Sequence, residues 1–124
     1  MRNTAKAISS VTSVAALLGS LAFSIPAITL AADATVVEQG KKIAFDRKKG
    51  NCLACHQIEG GSLPGNIGPP LVAMQARFPD KEQLRSQISD ARKNNPTTIM
   101  IPFGPHEVLS KGEIDKVVEF IYTL

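Results

Sequence analysis

The sequence predicts an all-α domain over residues 33–124, and two observations carry that reading. Apolar residues recur at helical spacing in three stretches, each opened by a side-chain cap. No stretch alternates with the two-residue period of a strand, and the segments between the periodic stretches are rich in Gly and Pro. The domain shows no internal repeat and no low-complexity tract.

Residues 1–32 read as an export leader. Arg2 and Lys6 are followed by an uncharged run from Ala7 to Ala32, most apolar over residues 14–23 and broken by Pro26. Small residues at Thr29, Ala31, Ala32 and Ala34 complete the layout of a signal peptide, with cleavage expected between residues 31 and 35. The run is long enough to span a bilayer, so an uncleaved anchor is the competing reading. Ser9, Ser10, Ser13, Ser20, Ser24 and Pro26 dilute it and favour cleavage. Losing Arg2 and Lys6 lowers the formal charge from +3 by two, so the basic balance carries no argument for nucleic acid. A domain of roughly ninety residues has little margin for a core of its own.

The first helix is expected to open at Thr35-Val36-Val37-Glu38, which has the form of a capping box, and to close at Gly50. Next comes a loop over residues 57–71 with Gly60, Gly61, Pro64, Gly65, Gly68, Pro69 and Pro70. Prolines fix φ and glycines permit close backbone approach, which suits a loop folded around a flat group; a plain surface Ω-loop is the alternative. A second helix opens at Asp80-Lys81-Glu82-Gln83, carries Leu84, Ile88 and Ala91 on one face, and is expected to stop at Asn95-Pro96. Residues 97–104 are non-helical. The third helix opens at Ser110-Lys111-Gly112-Glu113 and runs through Ile114, Val117, Val118 and Ile121.

Chemistry concentrates in Cys52-Leu53-Ala54-Cys55-His56. Two cysteines at this spacing form thioethers with the vinyl groups of one haem, and the histidine that follows is placed to ligate the iron. A structural zinc site would need Cys52, Cys55, His56 and His106 together, the whole Cys and His complement of the chain. A dithiol oxidoreductase would place its Cys-x-x-Cys near a βαβ pattern, and none is visible. A buried porphyrin also supplies the apolar mass that so small a domain lacks.

Methionine opposite histidine raises an iron potential toward electron transfer. Beyond the leader stand Met74, expected in a short helix as a core filler, and Met100, in the non-helical stretch between two helices. A loop can swing across the far face of a ring, which makes Met100 the expected second ligand. His106, in a Gly-Pro-His-Glu turn, is the third candidate and reads as solvent-exposed. A metal-bound histidine donates its other ring N–H to an acceptor, and the Pro69 carbonyl is the candidate. Lys41, Lys42, Arg47, Lys48 and Lys49 read as a solvated helix face, with steering of an acidic partner as the alternative.

Taken together, the mature chain resembles a class I cytochrome c. More narrowly it resembles the SoxX family, the small monohaem subunits of the SoxAX cytochromes of sulfur oxidation. That likeness is carried by residues 50–56 and 63–71, by Asn95-Pro96 and Met100-Ile101-Pro102-Phe103-Gly104, and by residues 113–124. Ile101 departs from the pattern, since many relatives place proline directly after the methionine. The resemblance implies three main helices around one covalent haem c, with Gly40 and Phe45 of the first helix packed against Phe120 or Tyr122 of the last. It implies a periplasmic subunit, partnered by a SoxA-like haem protein, that accepts electrons as thiosulfate is joined oxidatively to a cysteine of the SoxYZ carrier. Electrons would pass on to a downstream acceptor such as another cytochrome. The sulfur-binding catalytic residue would belong to the partner, because Cys52 and Cys55 are the only thiols here. A freestanding electron carrier of the same fold is the alternative.

Overall fold

A computed structural model describes residues 28–124; the expected leader signals at Arg2, Lys6, residues 14–23 and Pro26 lie outside the described residues. Four α-helices follow in order: α1 (Ile28–Phe45), α2 (Met74–Arg77), α3 (Lys81–Ser89) and α4 (Lys111–Ile121). Tight 3-10 turns lie at Cys52–Ala54 and Ala91–Lys93, and the described residues contain no strand. Among them no helix is long and apolar enough to cross a membrane.

α1 starts upstream of the expected cap, so Thr35 lies inside the helix. Ala31, Ala32, Asp33 and Ala34 contain neither Gly nor Pro, and alanine is the best helix former, so nothing stops the helix from propagating past Thr35. Its other end folds back as a turn. Asp46 N–H donates to the Lys42 carbonyl (3.0 Å) and Gly50 N–H to the Ile43 carbonyl (3.1 Å). A Cβ at Gly50 would stand 2.7 Å from that same Ile43 oxygen.

The principal packing is α1 across α4. Gly40 makes the crossing possible, since a Cβ there would stand 1.9 Å from the Lys116 carbonyl oxygen. Five residues on, Phe45 meets Phe120 edge to face, with ring centroids 5.8 Å apart and planes at 85°. Phe120 thus takes the place for which Tyr122 also stood. Tyr122 turns away, donating its hydroxyl to the Pro79 carbonyl (3.2 Å) under the Lys81 ammonium (4.8 Å from the ring centroid).

In α3 the Asp80 carboxylate accepts from Glu82 N–H (2.9 Å), one residue earlier than a capping box requires. Leu84 and Ile88 are buried as their spacing predicts, and so is Ala91. The helix ends at Ser89 rather than at Asn95-Pro96. Asp90 intervenes: its carboxylate accepts from Arg92 N–H and, bidentately, from the Arg92 guanidinium (2.7 and 3.0 Å), which starts the 3-10 turn. A short polar side chain that bonds the backbone locally competes with helix continuation.

α4 keeps its full capping box. Glu113 N–H donates to Ser110 Oγ (3.3 Å) and Ser110 N–H returns to the Glu113 carboxylate (3.0 Å). Lys49 donates to the same carboxylate and ties the turn after α1 to the start of α4. Ile114, Val117, Val118, Phe120 and Ile121 are all buried. Each contributes about 1.5–3 kcal/mol relative to exposure, so this helix is the main apolar investment of the fold.

Candidate functional site

Asn51 takes a left-handed conformation (φ 46°, ψ 36°), which asparagine tolerates better than most residues, and turns the chain into Cys52–Ala54. The Cys52 carbonyl then accepts from Cys55 N–H (3.2 Å) and His56 N–H (2.9 Å). Cys52, Cys55 and His56 of this wound segment all border a cleft of about 320 Å³. Burial pushes the Cys52 thiol up to about 11. That is the reverse of what a dithiol oxidoreductase needs, because its nucleophile is the thiolate.

The loop over residues 57–71 wraps the histidine side. Gly65 N–H donates to the Leu53 carbonyl (2.7 Å), Gly68 N–H to the Cys55 carbonyl (2.8 Å) and Leu71 N–H to the Gln57 carbonyl (2.9 Å). The loop therefore lies back along the motif. His56 Nδ1 stands 2.7 Å from the Pro69 carbonyl oxygen. A carbonyl only accepts, so Nδ1 carries the hydrogen and Nε2 keeps its lone pair for a metal. Gly68 is pressed against the same ring, with an ideal Cβ 2.4 Å from Cε1.

Met100 is half-buried between Ile99 and Ile101, and all three border the same cavity. Thr98 Oγ1 accepts from Met100 N–H (3.2 Å), Asn95 Oδ1 accepts from Thr97 N–H (3.2 Å), and Gly104 N–H closes the base of the loop on the Ser89 carbonyl (3.0 Å). Leu84, Ile88, Phe103, Leu109, Val117 and Ile121 line the floor, and all are buried. Met74 also borders the cleft, but it is 2% exposed and its sulfur accepts from Arg77 Nη1 (3.4 Å). His106 is exposed and does not border the cavity. Among the described residues no three His, Cys, Asp or Glu side chains gather into a metal cluster, so the four zinc candidates do not assemble.

Arg77 is the residue that sequence reasoning missed. Its guanidinium donates to the Pro70 carbonyl (2.9 Å) beside His56's acceptor and borders the cleft. The signal was present: Arg77 is the only charged residue between Glu59 and Asp80.

Two thiols, a histidine nitrogen and a thioether bordering one cleft with an apolar floor match what a covalent haem requires. The donor set and the apolar lining fit the group.

Comparison with known proteins agrees. A family model described as cytochrome c oxidase, cbb3-type, subunit III matches residues 36–121. Cytochrome c-552 of Nitrosomonas europaea is 29% identical over 99 residues, covering 77% of this chain and 92% of that protein. An uncharacterized lipoprotein of Aquifex aeolicus is 33% identical over 76 residues, covering 60% of this chain and 37% of its own length. A solved structure described as SoxXA from P. pantotrophus superposes with a TM-score of 0.63 at 29% identity, covering 69% of this chain and 79% of that one. The chain belongs to the cytochrome c family that this model represents, and within it is a class I cytochrome c similar to SoxX.

Proposed function

We propose that the chain is the electron-accepting monohaem subunit of a periplasmic SoxAX-type heterodimer. That complex joins thiosulfate to a cysteine of a SoxYZ-type carrier. The observation that carries the proposal is the match to SoxXA in sequence and shape together. In this reading Cys52 Sγ and Cys55 Sγ would hold one haem c as thioethers, and His56 Nε2 and Met100 Sδ would ligate its iron. The Pro69 carbonyl, accepting from Nδ1–H, would hold the imidazole in the tautomer that leaves Nε2 free for the metal. When bound, the haem supplies one-electron oxidation and reduction.

Forming the new S–S bond between thiosulfate and a thiol releases one proton and two electrons, and a single haem takes those electrons one at a time. With both thiols used as thioethers this chain has no sulfur nucleophile, so the carrier's cysteine is processed at the partner. The leader of residues 1–32 would deliver the chain to the periplasm, and cleavage between residues 31 and 35 would trim α1 back to near Thr35. The lipoprotein name of one relative supports export.

A freestanding carrier is favoured by one observation, the 92% coverage of cytochrome c-552. Copurification from native cells decides between the two. A stable SoxA-like partner supports the heterodimer, and a monomer free of any partner overturns it. On the same material, Met100→Ala should abolish the sulfur-to-iron charge-transfer band and lower the potential, because thioether ligation favours reduced iron. It should also slow thiosulfate-dependent electron release while leaving partner binding intact. Met74→Leu should do neither. A Met100→Ala protein that keeps the band removes Met100 from the site.

A further inference from the structure

The stretch that carries Met100 is fixed at both ends and by a single bond in between. Upstream, Asn95 N–H donates to the Ala91 carbonyl (3.0 Å) and Thr98 N–H to the Asn95 carbonyl (3.1 Å). Asn95 Oδ1 also accepts from Thr97 N–H (3.2 Å) and from the Thr97 hydroxyl (2.9 Å). Downstream, Pro102 and Phe103 are buried, the Pro102 carbonyl accepts from His106 N–H (3.0 Å), and Gly104 N–H donates to the Ser89 carbonyl (3.0 Å). Between these anchors lie Ile99, Met100 and Ile101. Among the described residues their backbone makes one hydrogen bond, from Met100 N–H to Thr98 Oγ1 (3.2 Å).

Packing does not replace the missing backbone bonds. Ile99 and Ile101 are 77% and 49% exposed, so neither neighbour is clamped by burial. Methionine itself has three rotatable side-chain bonds, and a loose backbone beneath it would leave its sulfur looser still. Thr98 is built differently. It is half-buried and borders the same cleft as Met100. As a β-branched residue it is stiff at χ1, so its hydroxyl points in few directions. A hydroxyl that accepts the N–H two residues on closes a small local turn, here with the methionine as its last member.

We propose that Thr98 is the positioning residue of Met100: its hydroxyl oxygen, by accepting the Met100 N–H, holds the turn that presents the thioether to the cleft. The proposal rests on the reading of Met100 as an iron ligand and names what keeps that ligand in place. A thioether on a flexible loop competes with any added base in proportion to the fraction of time the loop spends in its ligating arrangement. Loosening the loop therefore opens the iron to outside ligands without touching the sulfur. The contribution belongs to the oxygen rather than to the threonine's bulk, since valine has nearly the same shape and no acceptor. Thr97 does not share the role, because its hydroxyl is turned to Asn95.

The test titrates the ferric holo-protein with imidazole and follows loss of the sulfur-to-iron charge-transfer band. Thr98→Val should keep the band at rest and raise the apparent imidazole affinity about threefold or more, the size expected for one lost hydrogen bond. Thr98→Ala removes the same acceptor with less bulk and should behave as Thr98→Val does. Thr98→Ser restores the acceptor and should stay within about twofold of the parent. Haem should resist acid–acetone extraction in all three, because neither thiol is altered. Parent-like imidazole binding by Thr98→Val or Thr98→Ala overturns the proposal and leaves Met100 as ligand, provided that Met100→Ala still loses the band. A Thr98→Ser protein that binds imidazole as Thr98→Val does also overturns it, because the methyl group rather than the oxygen then matters. So does a fall of more than about 10 °C in the melting midpoint of Thr98→Val, which exceeds one hydrogen bond and assigns Thr98 to the fold as a whole. A parent protein with no charge-transfer band overturns the reading of Met100 itself, and the proposal with it.

Discussion

The imidazole of His56 is held by the carbonyl of Pro69 at 2.7 Å, and Gly68 lies against the same ring with no room for a side chain. The glycine is therefore as much a part of the histidine's setting as the acceptor is. A methyl group at this position would meet Cε1 at 2.4 Å and Nδ1 at 2.6 Å.

Gly68→Ala should consequently displace the ring and strain its bond to Pro69. The expected outcome is covalently attached haem with weakened or altered axial ligation, read as a changed low-spin spectrum and a shifted potential. Attachment itself should persist in acid–acetone extraction, because neither thiol is touched. An unchanged spectrum and potential would show that the ring does not depend on the close approach.

Gly40→Ala addresses the crossing of α1 and α4. The added methyl would stand 1.9 Å from the Lys116 carbonyl, a backbone atom that cannot swing aside. The helices must separate, and the Phe45–Phe120 contact opens with them. A loss of about 3 kcal/mol or more in denaturant unfolding is expected, at the upper end for overpacking. A loss below about 1 kcal/mol would mean that the crossing adapts more freely than its geometry implies.

Glu113 is expected to contribute to the acid limb of stability. Its hydrogen bond from Lys49, followed by those from Ser110, lowers its carboxyl from the ordinary 4.5 to about 2. A depressed folded value means that the contribution is complete above about pH 4.5 and is lost as pH falls toward 2. Glu113→Gln should therefore lower the unfolding midpoint at neutral pH. Below pH 4.5 the difference from the parent should shrink. Parallel curves for the two proteins from pH 6 to pH 2 would assign the acid limb elsewhere.

Much of this protein could be read before its structure was known, and for definite reasons. The Cys-x-x-Cys-His segment is local: a 3-10 turn at its start suffices to set Cys52, Cys55 and His56 along one cleft. The pattern at Ser110, Glu113, Ile114, Val117, Val118 and Ile121 is likewise local, and both cap and buried face follow it. The Pro69 carbonyl was within reach of sequence because rigid prolines follow the histidine at short range, and the two atoms lie 2.7 Å apart.

What the chain alone left undecided depends on contacts between segments far apart in sequence. The start of α1 is one case, since a capping pattern at Thr35 cannot terminate a helix whose upstream residues also favour helix. The stop of α3 at Ser89 is another, set by Asp90 binding Arg92 before Asn95-Pro96 is reached. Choosing Phe120 over Tyr122 required the α1–α4 crossing angle, and the placement of Arg77 beside the cleft required the loop to close over His56. Exposure is the clearest instance: sequence marks Leu63 as apolar, but only the packing of Gly61 and Gly65 against residues 53 and 54 turns it outward and holds it there. Hydrophobic periodicity specifies which face of a helix seeks a core, whereas a loop residue has no period, and its direction is settled only by the backbone that surrounds it.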